Sequence, residues 1–106
     1  MARYLFIARY SSEGIRGVAA HGGSARRTAV EKLAESVGGR MQTFDFAFGS
    51  DDVYTVVELP DNKAAAAVAL AVNASGQASV RTVPLLTPEE IDESASRTVN
   101  YLPPNN

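Results

Sequence analysis

RMQTFDFAFGSDDVYTVVEL, residues 40–59, decides the fold. Across residues 40–48, Phe44, Phe46 and Phe48 alternate with smaller or polar side chains. They share one face of a strand, and Met41, Thr43, Asp45 and Ala47 share the other. Gly49-Ser50-Asp51-Asp52 carries turn chemistry. Residues 53–59 are rich in β-branched side chains and form the return strand. The two runs read as a β-hairpin.

The pattern continues on both sides of the hairpin. Residues 3–10 read as a strand with Tyr4, Phe6, Ala8 and Tyr10 on one face and Leu5 and Ile7 on the other. Both faces are apolar, so a central position with cover on both sides is expected. Ser11 and Ser12 can cap a short helix to Ala20, which Gly22-Gly23 ends. Ser24 is expected to cap a second helix to about Val37, with Ala25, Ala29, Val30, Leu33, Ala34 and Val37 as its apolar stripe. Gly38-Gly39 stops it. Beyond the hairpin, Pro60-Asp61 starts an alanine-rich helix that runs to about Ser75 and ends at Gly76. A fourth strand follows over residues 80–86. Thr87-Pro88-Glu89-Glu90 then makes a capping box for a last helix carrying Ile91, Ala95 and Val99.

This order is a split βαβ pattern. It predicts an α+β, ferredoxin-like βαββαβ domain: a four-stranded antiparallel sheet, helices on one face, and a C-terminal helix. The chain has 106 residues, 45% of them hydrophobic and 21% charged, which suits one domain over residues 1–100. Residues 101–106, with two Pro and two Asn, read as an extended tail. The absence of Cys removes catalytic thiols, thiolate metal sites and disulfides. One His without a His four residues on gives no metal motif, and no cofactor is expected. The longest apolar run, residues 64–72, falls well short of the ~20 residues that cross a membrane. The apolar stretch at residues 4–8 is too short for a signal-peptide core. A cytoplasmic protein with neither membrane nor nucleic-acid partners is expected from these features and the net charge of −2.

Several blocks, in this order, resemble the GYD-domain family of small bacterial proteins. They are Gly22-Gly23-Ser24-Ala25-Arg26-Arg27 with residues 31–39, then Phe46-Ala47-Phe48-Gly49 to Asp52-Val53. Leu59-Pro60-Asp61-Asn62, residues 69–76 and residues 84–90 complete the set, so the resemblance covers about residues 3–101. It implies a ferredoxin-like fold of the dimeric α+β-barrel type and implies no activity. The family's hairpin signature is Gly-x-Tyr-Asp; here Asp51 stands in place of the Tyr. The turn is also similar to one in the ligand-binding domain of leucine-responsive-type regulators.

Candidate chemistry is sparse. His21, at a helix end, can serve as a general base or simply interact with the last carbonyls. Ser24, Arg26 and Arg27 sit where helix N–H groups and two guanidinium groups would meet an anion, or where a capped helix start carries solvated arginines. Asp51 and Asp52, adjacent in the chain, suit a turn better than a carboxylate pair. Asn73, Ser75 and Gly76 read as a helix terminus. Asp45, Glu58 and Arg81 interrupt apolar strands, with Tyr54 near Glu58. They would line a semi-polar pocket on the open sheet face, or form edge charges or an inter-subunit ion pair. Asp45, Glu58 and His21 are thus the catalytic candidates; Ser24, Arg26, Arg27, Tyr54 and Arg81 are the ligand-binding ones.

Three functions follow as alternatives. One is a homo-oligomer binding a small anionic or aromatic ligand at the open sheet face or subunit interface. The others are a cofactor-independent isomerase or monooxygenase by fold analogy, and a purely structural subunit. The doubly apolar first strand and the all-round apolar residues 64–72 predict self-association, as a homodimer or as a trimer or higher ring. Residues 1–40 hold seven Lys/Arg against three Glu, and residues 41–106 hold three Lys/Arg against nine Asp/Glu. That asymmetry either pairs surfaces of two subunits or intermixes within one fold.

Overall fold

Alternation of apolar residues builds four strands, which pair in the order β2-β3-β1-β4 in a computed structural model describing residues 1–105. The elements are β1 (Ala2–Tyr10), α1 (Ser12–His21), α2 (Gly23–Ser36), β2 (Arg40–Phe46), β3 (Val53–Leu59), α3 (Asn62–Ala74), β4 (Ala78–Leu85) and α4 (Pro88–Ala95). All neighbouring strands are antiparallel and β1 is central, consistent with a ferredoxin-like fold. Among the described residues, no helix is long and apolar enough to cross a membrane.

Register assigns the sheet faces. Tyr4, Phe6 and Ala8 of β1 lie opposite Val57, Thr55 and Val53 of β3, and this side faces the helices. There Tyr4, Phe6, Val57 and Leu59 pack with Ala34 of α2 and with Ala65 and Val68 of α3. Small residues on α3 let that helix sit close to the sheet. The Tyr4 hydroxyl donates to Asn62 Oδ1 at 2.6 Å, joining β1 to the start of α3. On the other side, Leu5, Ile7, Tyr54, Val56 and Val83 make an apolar centre that no helix covers. Even so, Ile7 is only 8% exposed, lying between Tyr54 and Arg81 in register.

Three local expectations are corrected. β2 ends at Phe46, so Phe48 lies beyond the strand and is fully exposed. A register shift between Met41 and Thr43 leaves Gln42 unmatched, and this bulge reverses the alternation. Met41 therefore joins Phe44 and Phe46 on the helix side, opposite Val57, rather than sharing a face with Thr43 and Asp45. Ser24 does not cap α2. Gly22, at φ 91°, is the single residue joining α1 to α2, and the helix starts at Gly23. Only glycine adopts that φ cheaply, so the chain turns two residues earlier than a cap at Ser24 would require.

Asp61 and Thr87 do cap α3 and α4, and the Thr87–Glu90 capping box is complete. Asp52 reaches past its own turn: its carboxylate accepts from the Tyr10 backbone N–H at 2.8 Å and fixes the end of β1. Asn73 Oδ1 accepts from Val80 N–H at 2.8 Å, tying α3 to β4. No residue of α4 is buried. The radius of gyration is 16.8 Å, against ~13 Å for a compact chain of this length. The difference comes from α4 and its continuation, which stand off the sheet. Residues 101–105 contain neither helix nor strand; Asn106, the end of the expected tail, lies outside the described residues.

Candidate functional site

Two adjoining, partly open cavities lie on the helix side of the sheet. The inner one, of about 70 Å³, lies between the sheet and α2 and α3 and is walled by Phe6, Phe44, Val53, Val57 and Val68. The outer one, of about 570 Å³, opens between α1, α2 and the C-terminal end of α3. His21, Gly22, Ala25, Ser75 and Gln77 line it. Tyr10, Arg26, Leu33, Val72 and Ala78 line both cavities and so stand at their junction.

Arg26 is the unusual member. It precedes Val30 by four residues and Leu33 by seven, so it continues the apolar stripe of α2 toward the sheet. Ala25 and Ala29, assigned to that stripe from the sequence, are exposed instead. A long aliphatic stem lets Arg26 occupy this place. Its Nε is buried and has no hydrogen-bond partner. An unpartnered polar atom of this kind costs about 1–3 kcal/mol, more when charged. Beside it, burial pushes the Tyr10 phenol above the usual tyrosine range; the Arg26 charge pulls the other way and the Asp52 carboxylate adds to the rise. The first turn of α2, from Gly22 to Arg26, supplies the positive end of a helix dipole to the same wall. His21 sits on the rim, exposed, at the last position of α1.

These groups make a cationic point at the neck of an apolar chamber. The inner volume is about half of the ~150 Å³ that accepts benzene in an apolar protein cavity. It suits a short branched alkyl end rather than a whole ring. The guanidinium edge at Nε suits a carboxylate, which takes two N–H donors side by side.

The other sequence candidates lie elsewhere. Ser24 and Arg27 are exposed and line neither cavity. Asp45, Tyr54 and Arg81 fall in one row across the open face, with Ile7 between Tyr54 and Arg81. Glu58 shares that face but is four residues along β3 from Tyr54, ~13 Å away. Glu58 and Arg81 are paired separately. Glu58 accepts from Arg40 Nε and, at 2.9 Å, from Gln42 Nε2. The Arg40 hydrogen bond holds the Glu58 carboxyl below its usual range. Arg81 Nη2 donates to Asp51 Oδ2 at 3.1 Å. Both cavities lie on the opposite side of the sheet from this row.

The sequence held a signal for Arg26 as a core-facing residue: its four- and seven-residue spacing to Val30 and Leu33. Tyr10 had a signal too, as the last residue of the helix-facing alternation in β1. Neither spacing indicated that a cavity would form between them.

A family model described as the GYD domain matches residues 4–95. No match to the chain was found among curated proteins or solved structures.

Proposed function

We propose, on the premise that this chain belongs to the GYD domain family, that it binds a small carboxylate in the helix-side cavity. The class favoured is a short branched aliphatic acid. Its alkyl end would fill the inner chamber and its carboxylate would accept from Arg26 Nε at the neck. The observation that carries this reading is the buried, unpartnered Arg26 Nε at the junction of the two cavities. A carboxylate there would satisfy the orphaned donor, while the Tyr10 hydroxyl offers a further hydrogen bond. The reading moves the expected ligand from the open sheet face to the helix side, where a partly open apolar cavity and an unused cationic donor coincide.

Calorimetric titration of the full chain tests this. Isovalerate is expected to bind saturably at one site per chain, and its neutral amide, isovaleramide, is expected to show no binding. Arg26→Met is expected to abolish the isovalerate signal while leaving the fold intact. Equal binding of acid and amide, or wild-type isovalerate affinity in Arg26→Met, would overturn the assignment.

A further inference from the structure

We infer that the acid held in this cavity is a branched-chain 2-oxo acid, and that Tyr10 selects it over the corresponding 2-amino acid. The inference rests on the carboxylate reading and adds to it the group carried at C2. With the alkyl end in the inner chamber and the carboxylate at Arg26, the C2 carbon lies at the junction of the two cavities. Tyr10 and Arg26 are the polar side chains at that junction, and Leu33, Val72 and Ala78 complete it. A guanidinium donates through five N–H groups and accepts through none. Burial pushes the Tyr10 phenol up, so its O–H stays protonated well past neutral pH and is available to donate.

The surroundings supply donors and few acceptors. Thr55, the remaining polar side chain of the inner chamber, already donates to the Thr43 carbonyl at 2.6 Å. Gly22 gives α2 no side-chain cap, so the first N–H groups of that helix add unsatisfied donors beside the outer chamber. Among the described residues, no Asp or Glu lines either cavity. Asp52 accepts from the Tyr10 backbone N–H, and Glu13 accepts from Gln77 Nε2 at 3.2 Å; both stay outside the lining. The ion pairs among the described residues are Arg40–Glu58 and Arg81–Asp51, so the Arg26 charge meets no carboxylate of its own chain.

A donor-rich neck fits a head that only accepts. A 2-oxo acid offers carboxylate and keto oxygens, all acceptors, and no charge beyond that of the carboxylate. The carboxylate accepts from Arg26 while the keto oxygen accepts from the Tyr10 hydroxyl. A 2-amino acid brings an ammonium with three N–H donors to a place where the Tyr10 oxygen is the one side-chain acceptor and the Arg26 charge repels it. A 2-hydroxy acid, neutral but carrying one donor, falls between the two. The keto group needs no extra room: 3-methyl-2-oxobutanoate is isovalerate with one CH₂ replaced by C=O, and L-valine carries the ammonium at the same carbon.

Calorimetric titration of the full chain with these three probes tests the inference. The oxo acid is expected to bind roughly 3- to 10-fold more tightly than isovalerate, the worth of one added hydrogen bond. L-Valine is expected to bind about 100-fold more weakly than the oxo acid, because its ammonium is desolvated without a partner. Tyr10→Phe keeps the ring and removes the donor, and is expected to bring the ratio of oxo-acid to isovalerate affinity down to about one. Isovalerate bound as tightly as the oxo acid, valine bound as tightly as isovalerate, or a ratio unmoved in Tyr10→Phe would each overturn this inference and leave the carboxylate site standing. No binding of either isovalerate or the oxo acid would overturn both.

Discussion

Replacing Arg26 by Met should make the ligand-free protein more stable. The Arg26 Nε is buried without a partner, and its orphaned donor costs about 1–3 kcal/mol. Met keeps an unbranched stem of similar reach and puts a polarizable, apolar thioether where the donor was. It also continues the stripe that Val30 and Leu33 begin on α2. Against this stands the loss of the Arg26 charge beside Tyr10, a modest effect because burial dominates the Tyr10 environment. The net expectation is a gain of about 1 kcal/mol or more, read as a higher urea midpoint at unchanged slope. In a thermal melt this corresponds to a rise of about 4 °C or more. Arg26→Lys, whose compact charge can extend toward water, should not show the gain. A loss of about 1 kcal/mol or more in Arg26→Met would mean that the guanidinium is a net stabiliser. The partnerless Nε would then carry no net cost for a ligand to relieve.

Other expectations rest on single contacts. Gly14 is buried, and a Cβ there would meet the Gln77 carbonyl oxygen; Gly14→Ala should lower stability by about 1–3 kcal/mol in urea titration. Tyr4→Phe removes the hydroxyl that donates to Asn62 and should cost about 0.5–1.5 kcal/mol by the same assay. Asp61→Ala removes the α3 cap that accepts from Ala64 N–H at 2.9 Å, for a loss of about 1 kcal/mol. Tyr10 supplies a pH dependence. Its folded pKa is raised above the unfolded value, so its contribution is fully present below about pH 10 and is lost as pH rises through the folded pKa. Stability measured across the alkaline range should fall less steeply in Tyr10→Phe than in the wild type.

The parts of the fold legible in the sequence were those fixed by short-range chemistry. Asp61 and Thr87 sit where a helix needs an acceptor for its first N–H groups, and both do that work. The alternation in residues 53–59 set which side chains of β3 face the helices, because a strand has a period of two. The bulge at Gln42 was illegible, since no Gly or Pro marks it; the offset comes from how β2 meets β3. That one residue moved Met41 into the core side. The sequence offers Arg26 beside Arg27 at a helix start, where the two either meet an anion or are solvated. The Arg26 stem instead follows the stripe of α2 inward, which only the packing of α2 against the sheet decides. Alternation gave the face of Asp45 and of Tyr54 within each strand, but the register that aligns them with Arg81 in one row did not follow from it. Nor did the partners of that row, because Asp51 reaches Arg81 across a separation of 30 residues.

The Arg26 Nε–H proton itself reports most directly on the carboxylate site. Isotope-edited NMR of the full chain, titrated with isovalerate, follows that resonance alongside those of the exposed Arg16 and Arg27. A carboxylate seated at the cavity neck should shift the Arg26 signal progressively to saturation and leave the other two unmoved. An Arg26 signal that stays fixed, or that drifts together with Arg16 and Arg27 without saturating, would contradict a carboxylate site in this cavity.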